Sequence, residues 1–295
     1  TAYETSLGLV GSEMCIRDRG GVGRSTTAVN IGWSLAEAGR NVLICDLDSQ
    51  ANASYNLSKD YTVVESGKNI SQMMANGTGS FSDYISDTRH SRLKLLGSTL
   101  FTDKTEADLR RNQTMNSHRI FENKLDRSTR EGFDYIIFDT PPSKSSILML
   151  NALIVSDWFW YIIGAEDQWA LDARVIMDKI VADVKKLNTK LNALPVLLTR
   201  YKKNNTQSRY MKQICQETFE KGVFSGCVRD TTFITKSNSA RQSIFEYDRR
   251  HNCAQDYAAV SRNLMETVEN RKNSEIGPEK TVPHNDESSI HDMGY

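Results

Sequence analysis

The chain has 295 residues, 39% of them apolar, with 37 basic and 37 acidic side chains. That length is ample for a buried core, and the balanced charge excludes a global field that would draw the chain to DNA or to a membrane. No run of about 18 apolar residues exists to make a membrane helix, and Ser6–Cys15 lacks the basic start and small-residue cleavage site of a signal peptide.

The first informative stretch is Gly20-Gly21-Val22-Gly23-Arg24-Ser25-Thr26-Thr27. Three glycines in four residues let the backbone turn tightly and aim successive N–H groups at an anion. Ser25 is placed to offer a hydroxyl to Mg²⁺. Residues Ala28 to Ala38 read as a helix whose positive end faces the same anion, and Gly39-Arg40 ends it. Asn41–Asp46 reads as a short buried strand closing on a carboxylate. Residues 55–90 are polar and mixed, broken by Gly67, Gly77 and Gly79. Leu93–Gly97 is a strand, and 104–130 is charged, amphipathic and helical in character.

Phe133–Asp139 is the strongest strand signal, nearly all apolar, as a strand covered on both faces should be. Pro141 and Pro142 forbid its continuation. Trp158–Ile163 and Leu194–Leu198 are two further strands, with helices at about 170–190, 207–221 and 254–271. Trp158 and Trp160 pack in or beside the sheet. From Asn273 the chain is polar and reads as a disordered tail. The five cysteines show no CxxC spacing and read as reduced thiols, without a metal or disulfide role.

Strands alternating with helices predict an α/β fold: a mostly parallel, twisted sheet with helices on both faces. Ligands bind such sheets at the carboxyl ends of strands. The glycine-rich loop, Asp46, Asp48 and Asp139 all fall there, which predicts one shared site. Asp139 is the expected Mg²⁺ carboxylate, against a helix cap or surface acid. Asp48 is the candidate for positioning an attacking water, against turn chemistry shared with Ser49. Arg200, Lys202, Lys203, Arg209 and Lys212 form a local basic cluster that could meet DNA phosphates or be a solvated helix face.

Gly20–Thr27, Asp46-Leu47-Asp48-Ser49-Gln50-Ala51-Asn52 and Phe133–Ser143 together resemble the ParA/Soj partition ATPases. These belong to the deviant-Walker group of P-loop proteins that includes MinD and the nitrogenase iron protein. The likeness continues through Leu150–Leu153, Trp169–Asp172 and Ile244–Asp248, and spans about residues 20 to 271. It implies an ATPase that binds ATP and Mg²⁺, and a homodimer sandwiching two nucleotides. It further implies non-specific DNA binding in the ATP state, hydrolysis stimulated by a ParB-like activator, and a cytoplasmic, nucleoid-associated location. By position, Gly20, Gly21, Val22, Gly23, Arg24, Ser25 and Thr26 would hold the phosphates. Ser25 and Asp139 would hold Mg²⁺, Asp48 and Arg24 would serve hydrolysis, and Thr199 and Arg200 would lie near the adenine. No basic amphipathic C-terminal helix of the MinD kind is present, so no membrane partner is expected. Without paired cysteines, a metal-cluster reductase is not expected either.

Two departures stand out. The family's signature lysine before the first glycine is Arg19 here, and its phosphate-binding lysine is Arg24. Arginine keeps the charge but is longer, planar and forked. Arg24 therefore raises a second reading, a nucleotide-gated switch with little turnover. A third is a MinD-like or cargo-positioning ATPase. Residues 6–19 do not resemble the apolar strand with which the family begins. They resemble a translated sequencing-adapter read-through, so 1–19 are expected to be non-native, with an ATPase domain at 20–272 and a tail at 273–295.

Overall fold

The computed structural model describes residues 5–11, 23–76, 78–111, 117–143, 146–167, 170–224 and 226–275. Gly20, Gly21, Val22, Arg19, Cys15, Gly77 and Trp169, together with the tail from residue 276, lie outside them.

The apolar runs are used on both sides. In β5 (Tyr135–Asp139), Tyr135 and Ile137 pack on one face and Ile136 and Phe138 on the other. In β2 (Val42–Asp46), Val42 and Ile44 take the first face and Leu43 and Cys45 the second. In β6 (Trp158–Gly164), Trp158, Trp160 and Ile162 oppose Phe159, Tyr161 and Ile163. Side chains alternate along a strand, so a run buried at every position needs cover on both faces.

That cover is helical. On the first face lie α1 (Arg24–Glu37) and α14 (Asn252–Glu275), the latter through Cys253, Tyr257, Val260, Leu264 and Val268. On the second lie α9 (Ile147–Val155), α10 (Ala170–Lys185) and α11 (Thr206–Thr218). A Cβ built on Gly32 would come within 2.6 Å of Ile44 Cδ1, so glycine lets α1 lie close over β2.

The remaining strands are β1 (Thr5–Gly11), β3 (Ser86–Asp87), β4 (Leu93–Leu96), β7 (Asn192–Ala193) and β8 (Leu197–Thr199). The sheet runs β3-β4-β2-β5-β1-β6-β7, with β8 also on β6. All pairings are parallel except β3–β4. The α/β expectation holds.

Four details differ from the sequence reading. Residues 5–11 do form the first strand, between β5 and β6, with Leu7 opposite Ile137 and Trp158. Gly8 and Gly11 weaken its strand pattern, but two flanking parallel edges supply the backbone ladder that propensity does not. The strand expected at 194–198 is divided around Pro195, whose carbonyl accepts the Trp160 Nε1–H at 2.8 Å. The helical stretch at 104–130 is broken into α6 (Thr102–Arg111), a 3₁₀ turn (Ser117–Arg119), α7 (Ile120–Lys124) and α8 (Arg127–Gly132). Buried Asn151 of α9 ties down the turn and α7 by accepting from Phe121 N and donating to Ser117 O. Lastly, α14 runs to Glu275, past the expected start of the tail at Asn273.

Residues 52–84 hold four short helices: α2 (Asn52–Leu57), α3 (Tyr61–Glu65), α4 (Ile70–Ala75) and α5 (Phe81–Tyr84). Asp60 and Asn69 cap the middle two. Beyond α11 come α12 (Thr232–Ser239) and α13 (Ile244–Asp248). Cys45, Cys215, Cys227 and Cys253 are free thiols. No helix among the described residues is long and apolar enough to cross a membrane.

Candidate functional site

The strand order puts β2 and β5 side by side with Asp46 opposite Asp139 at their carboxyl ends. Two carboxylates are thus buried together beneath the start of α1. That helix begins at Gly23, whose φ of 82° lies in the left-handed region that suits glycine. No side chain caps it, so its first-turn N–H groups and the positive end of the helix are not satisfied by a protein carboxylate or hydroxyl at Gly23.

Asp139 is 1% exposed, and neither of its carboxylate oxygens accepts a hydrogen bond. Burial first, then the neighbouring Asp46, push its carboxyl well above the ordinary range; the Ser25 hydroxyl and the Arg24 guanidinium beside it offset part of this. A buried acid without donors is costly unless something outside the protein completes it. A divalent cation fits that need, with Ser25 close by. Among the described residues no cluster of three or more acid, histidine or cysteine ligands forms a separate metal site. The donor set therefore suits a hard cation that takes its other oxygens from water and phosphate, as Mg²⁺ does.

Asp46 does different work. Its Oδ2 accepts from Ser54 N at 2.8 Å and Ser54 Oγ at 2.7 Å, and its Oδ1 accepts from Asp48 N at 3.1 Å. Burial pushes its pKa up to about 7 despite these bonds. It anchors the 47–54 loop from below, and so aims Asp48 at the cavity above. Asp48 Oδ1 accepts from Gln50 N at 2.9 Å, the turn chemistry that the sequence offered as the alternative, while the residue also lines the cavity. The turn chemistry is therefore present, at a residue that lines the cavity.

Arg24 is buried, and its Nη1 donates to the Pro141 carbonyl at 3.4 Å. The residue that replaces the expected lysine thus touches the loop that follows Asp139. That loop is tied at its far end by Glu106 of α6, which accepts from Ile147 N at 2.7 Å and from Ser146 Oγ at 3.3 Å.

The cavity has a volume of about 670 Å³, and its lining includes Gly23, Arg24, Ser25, Thr26 and Asp48. That size suits a nucleotide. Thr199 and Arg200 line it too, which brings the distant 199–200 pair to the same opening as the glycine-rich loop. Among the described residues, the non-glycine residues in left-handed backbone are Ala51, Arg200 and Arg241. Arg200 and Arg241 line the cavity, and Ala51 lies between two residues that do. Backbone strain of this kind concentrates at binding sites.

Sequence reasoning missed the wall formed by Val228, Arg229, Asp230, Thr231, Ile234 and Tyr257. These positions show no strong periodicity or motif; only packing of α12 and α14 beside α1 brings them in. The basic cluster is divided. Lys202 is bound to Glu166 at 2.7 Å and Asp230 at 3.2 Å. Lys212 lies over the Tyr201 ring at 6.0 Å, while Lys203 and Arg209 are exposed.

A family model described as an AAA domain matches residues 14–193. The chromosome partitioning protein ParA of Myxococcus xanthus is 29% identical over 275 residues, which cover 89% of this chain and 90% of that protein. A plasmid partition protein from Borrelia burgdorferi bound to AMPPNP superposes with a TM-score of 0.71 at 21% identity, covering 90% of this chain and 99% of that one. Cobyrinic acid a,c-diamide synthase from Mycobacterium smegmatis, with ADP and magnesium, gives a TM-score of 0.72 at 21% identity, covering 90% and 96%. The two structural likenesses establish a shared fold.

Proposed function

We infer that this chain, which belongs to the AAA-domain family and is a P-loop ATPase of the ParA/MinD type, binds ATP with Mg²⁺ and uses it to switch DNA partition. The observation that carries this reading is Asp139, a buried carboxylate with no protein donor, beside Ser25 and below an uncapped helix start.

In this reading Gly20, Gly21, Val22, Gly23, Ser25 and Thr26 hold the phosphates through backbone N–H groups and hydroxyls. Ser25 and Asp139 would hold Mg²⁺, which when bound neutralises phosphate charge. Asp48 orients the attacking water, its carboxylate held in place by Gln50 N and, from below, by the Asp46–Ser54 pair. Arg24 contributes positive charge, and Thr199 and Arg200 wall the base. A homodimer forms in the ATP state and binds DNA non-specifically, with Lys203, Arg209 and Lys212 as contacts; Lys202 joins them only by leaving its two acids. A ParB-like activator stimulates hydrolysis on the nucleoid.

The test is retention on non-specific DNA with Mg-ATP, with Mg-ADP and without nucleotide. Retention is expected with Mg-ATP alone; equal retention in all three would refute the partition reading.

One observation favours a second reading. Arg24 meets Pro141 O, and a forked guanidinium is not equivalent to a lysine point charge at a phosphate. A nucleotide-gated switch with little turnover would follow. Comparing ATP turnover of the native chain with Arg24→Lys, each with its activator, separates the two. Equal turnover excludes the switch-only reading.

A further inference from the structure

Arg89, between β3 and β4, belongs to no motif, yet its side chain joins three distant segments. Its Nε donates to Glu246 Oε1 at 2.7 Å and its Nη2 to Glu246 Oε2 at 3.1 Å. Its Nη1 donates to Ser58 O at 2.9 Å. Its Nη2 also donates to Asn56 O and, at 2.9 Å, to Arg241 O. A guanidinium presents its donors in a rigid fork, so it holds a carboxylate and several carbonyls at once. The end of α2, the turn after α12 and the first residues of α13 are thereby fixed to one another.

Each of these segments leads back to the nucleotide cavity. The helix α2 starts just after the Asp48 turn, and its Ser54 bonds Asp46 through both N–H and hydroxyl. Tyr55 and Asn56 of this helix line the cavity. On the other side, Asn238 Nδ2 donates to Thr26 Oγ1 at 3.2 Å and Ile244 N donates to Asn30 Oδ1 at 2.8 Å, so the α12–α13 turn is bound to α1. Glu246 is held in that turn as well, its Oε2 accepting from Ser243 N at 2.9 Å and Ser243 Oγ at 3.0 Å. Where the two sides meet, the Arg241 guanidinium lies 5.2 Å over the Tyr55 ring. The contacts close a circuit from α1 through the α12–α13 turn, Arg89 and α2 to the loop that carries Asp48. Ala51 and Arg241 sit in left-handed backbone at two bends of this circuit, conformations that persist only where the surroundings enforce them.

We propose that Arg89 is a positioning residue for ATP hydrolysis, which fixes Asp48 relative to the phosphate-holding start of α1 by tying the end of α2 to the α12–α13 turn. This rests on the ATPase reading above. In the hydrolytic step the water oxygen bonds the terminal phosphorus while the bridging P–O bond breaks, giving ADP, inorganic phosphate and a proton. Affinity for the phosphates comes from the glycine-rich loop and the start of α1, whereas the bonds of Arg89 go to α2, α13 and the turn before it. Placing the water at Asp48 in line with the terminal phosphate is steeply sensitive to displacement of the loop. Loss of Arg89 therefore falls on hydrolysis and not on binding. A lysine at this position keeps the charge beside Glu246 but has no fork to span both carbonyls of α2 and that of Arg241.

The experiment measures the single-turnover rate of ATP hydrolysis and the Kd for Mg-ATP in the native chain, Arg89→Lys and Arg89→Ala. Both variants are expected to hydrolyse ATP about ten- to a hundredfold more slowly, with Kd within about twofold of the native value. Arg89→Lys serves if the alanine variant does not fold. An unchanged rate in both variants, a native rate in Arg89→Lys, or a loss of affinity equal to the loss of rate overturns the positioning role. A native chain that binds Mg-ATP without hydrolysing it overturns the ATPase reading and this role with it, and one that binds no Mg-ATP overturns the nucleotide reading.

Discussion

Asp139→Asn separates the cost of the site from its use. Asparagine keeps the shape of the side chain and removes the charge. In the native chain Asp139 is buried, has no donor on either oxygen, and faces Asp46 across adjacent strands. Its pKa is raised in the fold, so the folded state binds its proton more tightly than the unfolded chain does. That contribution to stability is full below the usual carboxyl value of 3.8 and is lost as pH rises through the raised value. Asp46 follows the same rule up to about 7 and alone accounts for roughly 4 kcal/mol, at about 1.4 kcal/mol per pH unit. Removing the Asp139 charge eliminates its own desolvation and its repulsion of Asp46. The variant is therefore expected to gain on the order of 3 kcal/mol at pH 8 without nucleotide. The gain is expected to shrink as pH falls toward 5, because the raised pKa favours protonation of the native Asp139 on that side. Urea unfolding followed by tryptophan fluorescence at both pH values measures this. With Mg-ATP the order reverses: the native chain gains stability by ligand linkage and the variant does not. A variant no more stable than the native chain at pH 8, or equally stabilised at pH 5, would refute the account of Asp139 as an incomplete cation site.

Three further outcomes follow from the packing. Phe121→Ala should cost about 3 to 5 kcal/mol in urea unfolding, since the fully buried ring meets Phe81 at 5.2 Å and Phe138 at 5.7 Å. Glu106→Ala should cost about 1 to 2 kcal/mol by stripping the acceptor from the start of α9, and Glu106→Gln should recover most of it in the same measurement. Gly23→Ala meets open space, with Thr26 Cβ the nearest atom at 3.9 Å, so its cost is the left-handed backbone alone, about 1 to 2 kcal/mol. The same change should weaken Mg-ATP binding by calorimetry, because it disturbs the turn that aims the first N–H groups of α1.

The sequence carried the fold class because the strands β2, β5 and β6 are apolar at every position, and only a sheet covered on both faces buries such runs. It carried half of the site for a related reason. Gly23, Ser25, Asp48 and Asp139 sit at the ends of strands or the start of a helix, where chain order and strand order coincide. Local pattern failed where tertiary contacts override propensity. Thr5–Gly11 is a strand because two parallel neighbours flank it, and within the stretch expected to be helical across 104–130 the Ser117–Arg119 turn is held apart from a continuous helix by Asn151 of α9, which bonds Ser117 O and Phe121 N.

What residues a ligand meets beyond the phosphates was decided only by the tertiary structure. Asp256 is far from the glycine-rich loop in the chain and reads as an ordinary helical acid. Its hold on Arg229 exists because α14 packs against α1 and brings its polar edge to the cavity. Likewise, Lys202 reads as a free basic residue, and only the fold places Glu166 and Asp230 within ion-pair distance. A sequence specifies groups that act through their own neighbours in the chain. Groups that act across elements gain their roles from packing, where burial and distance set the energy of each contact.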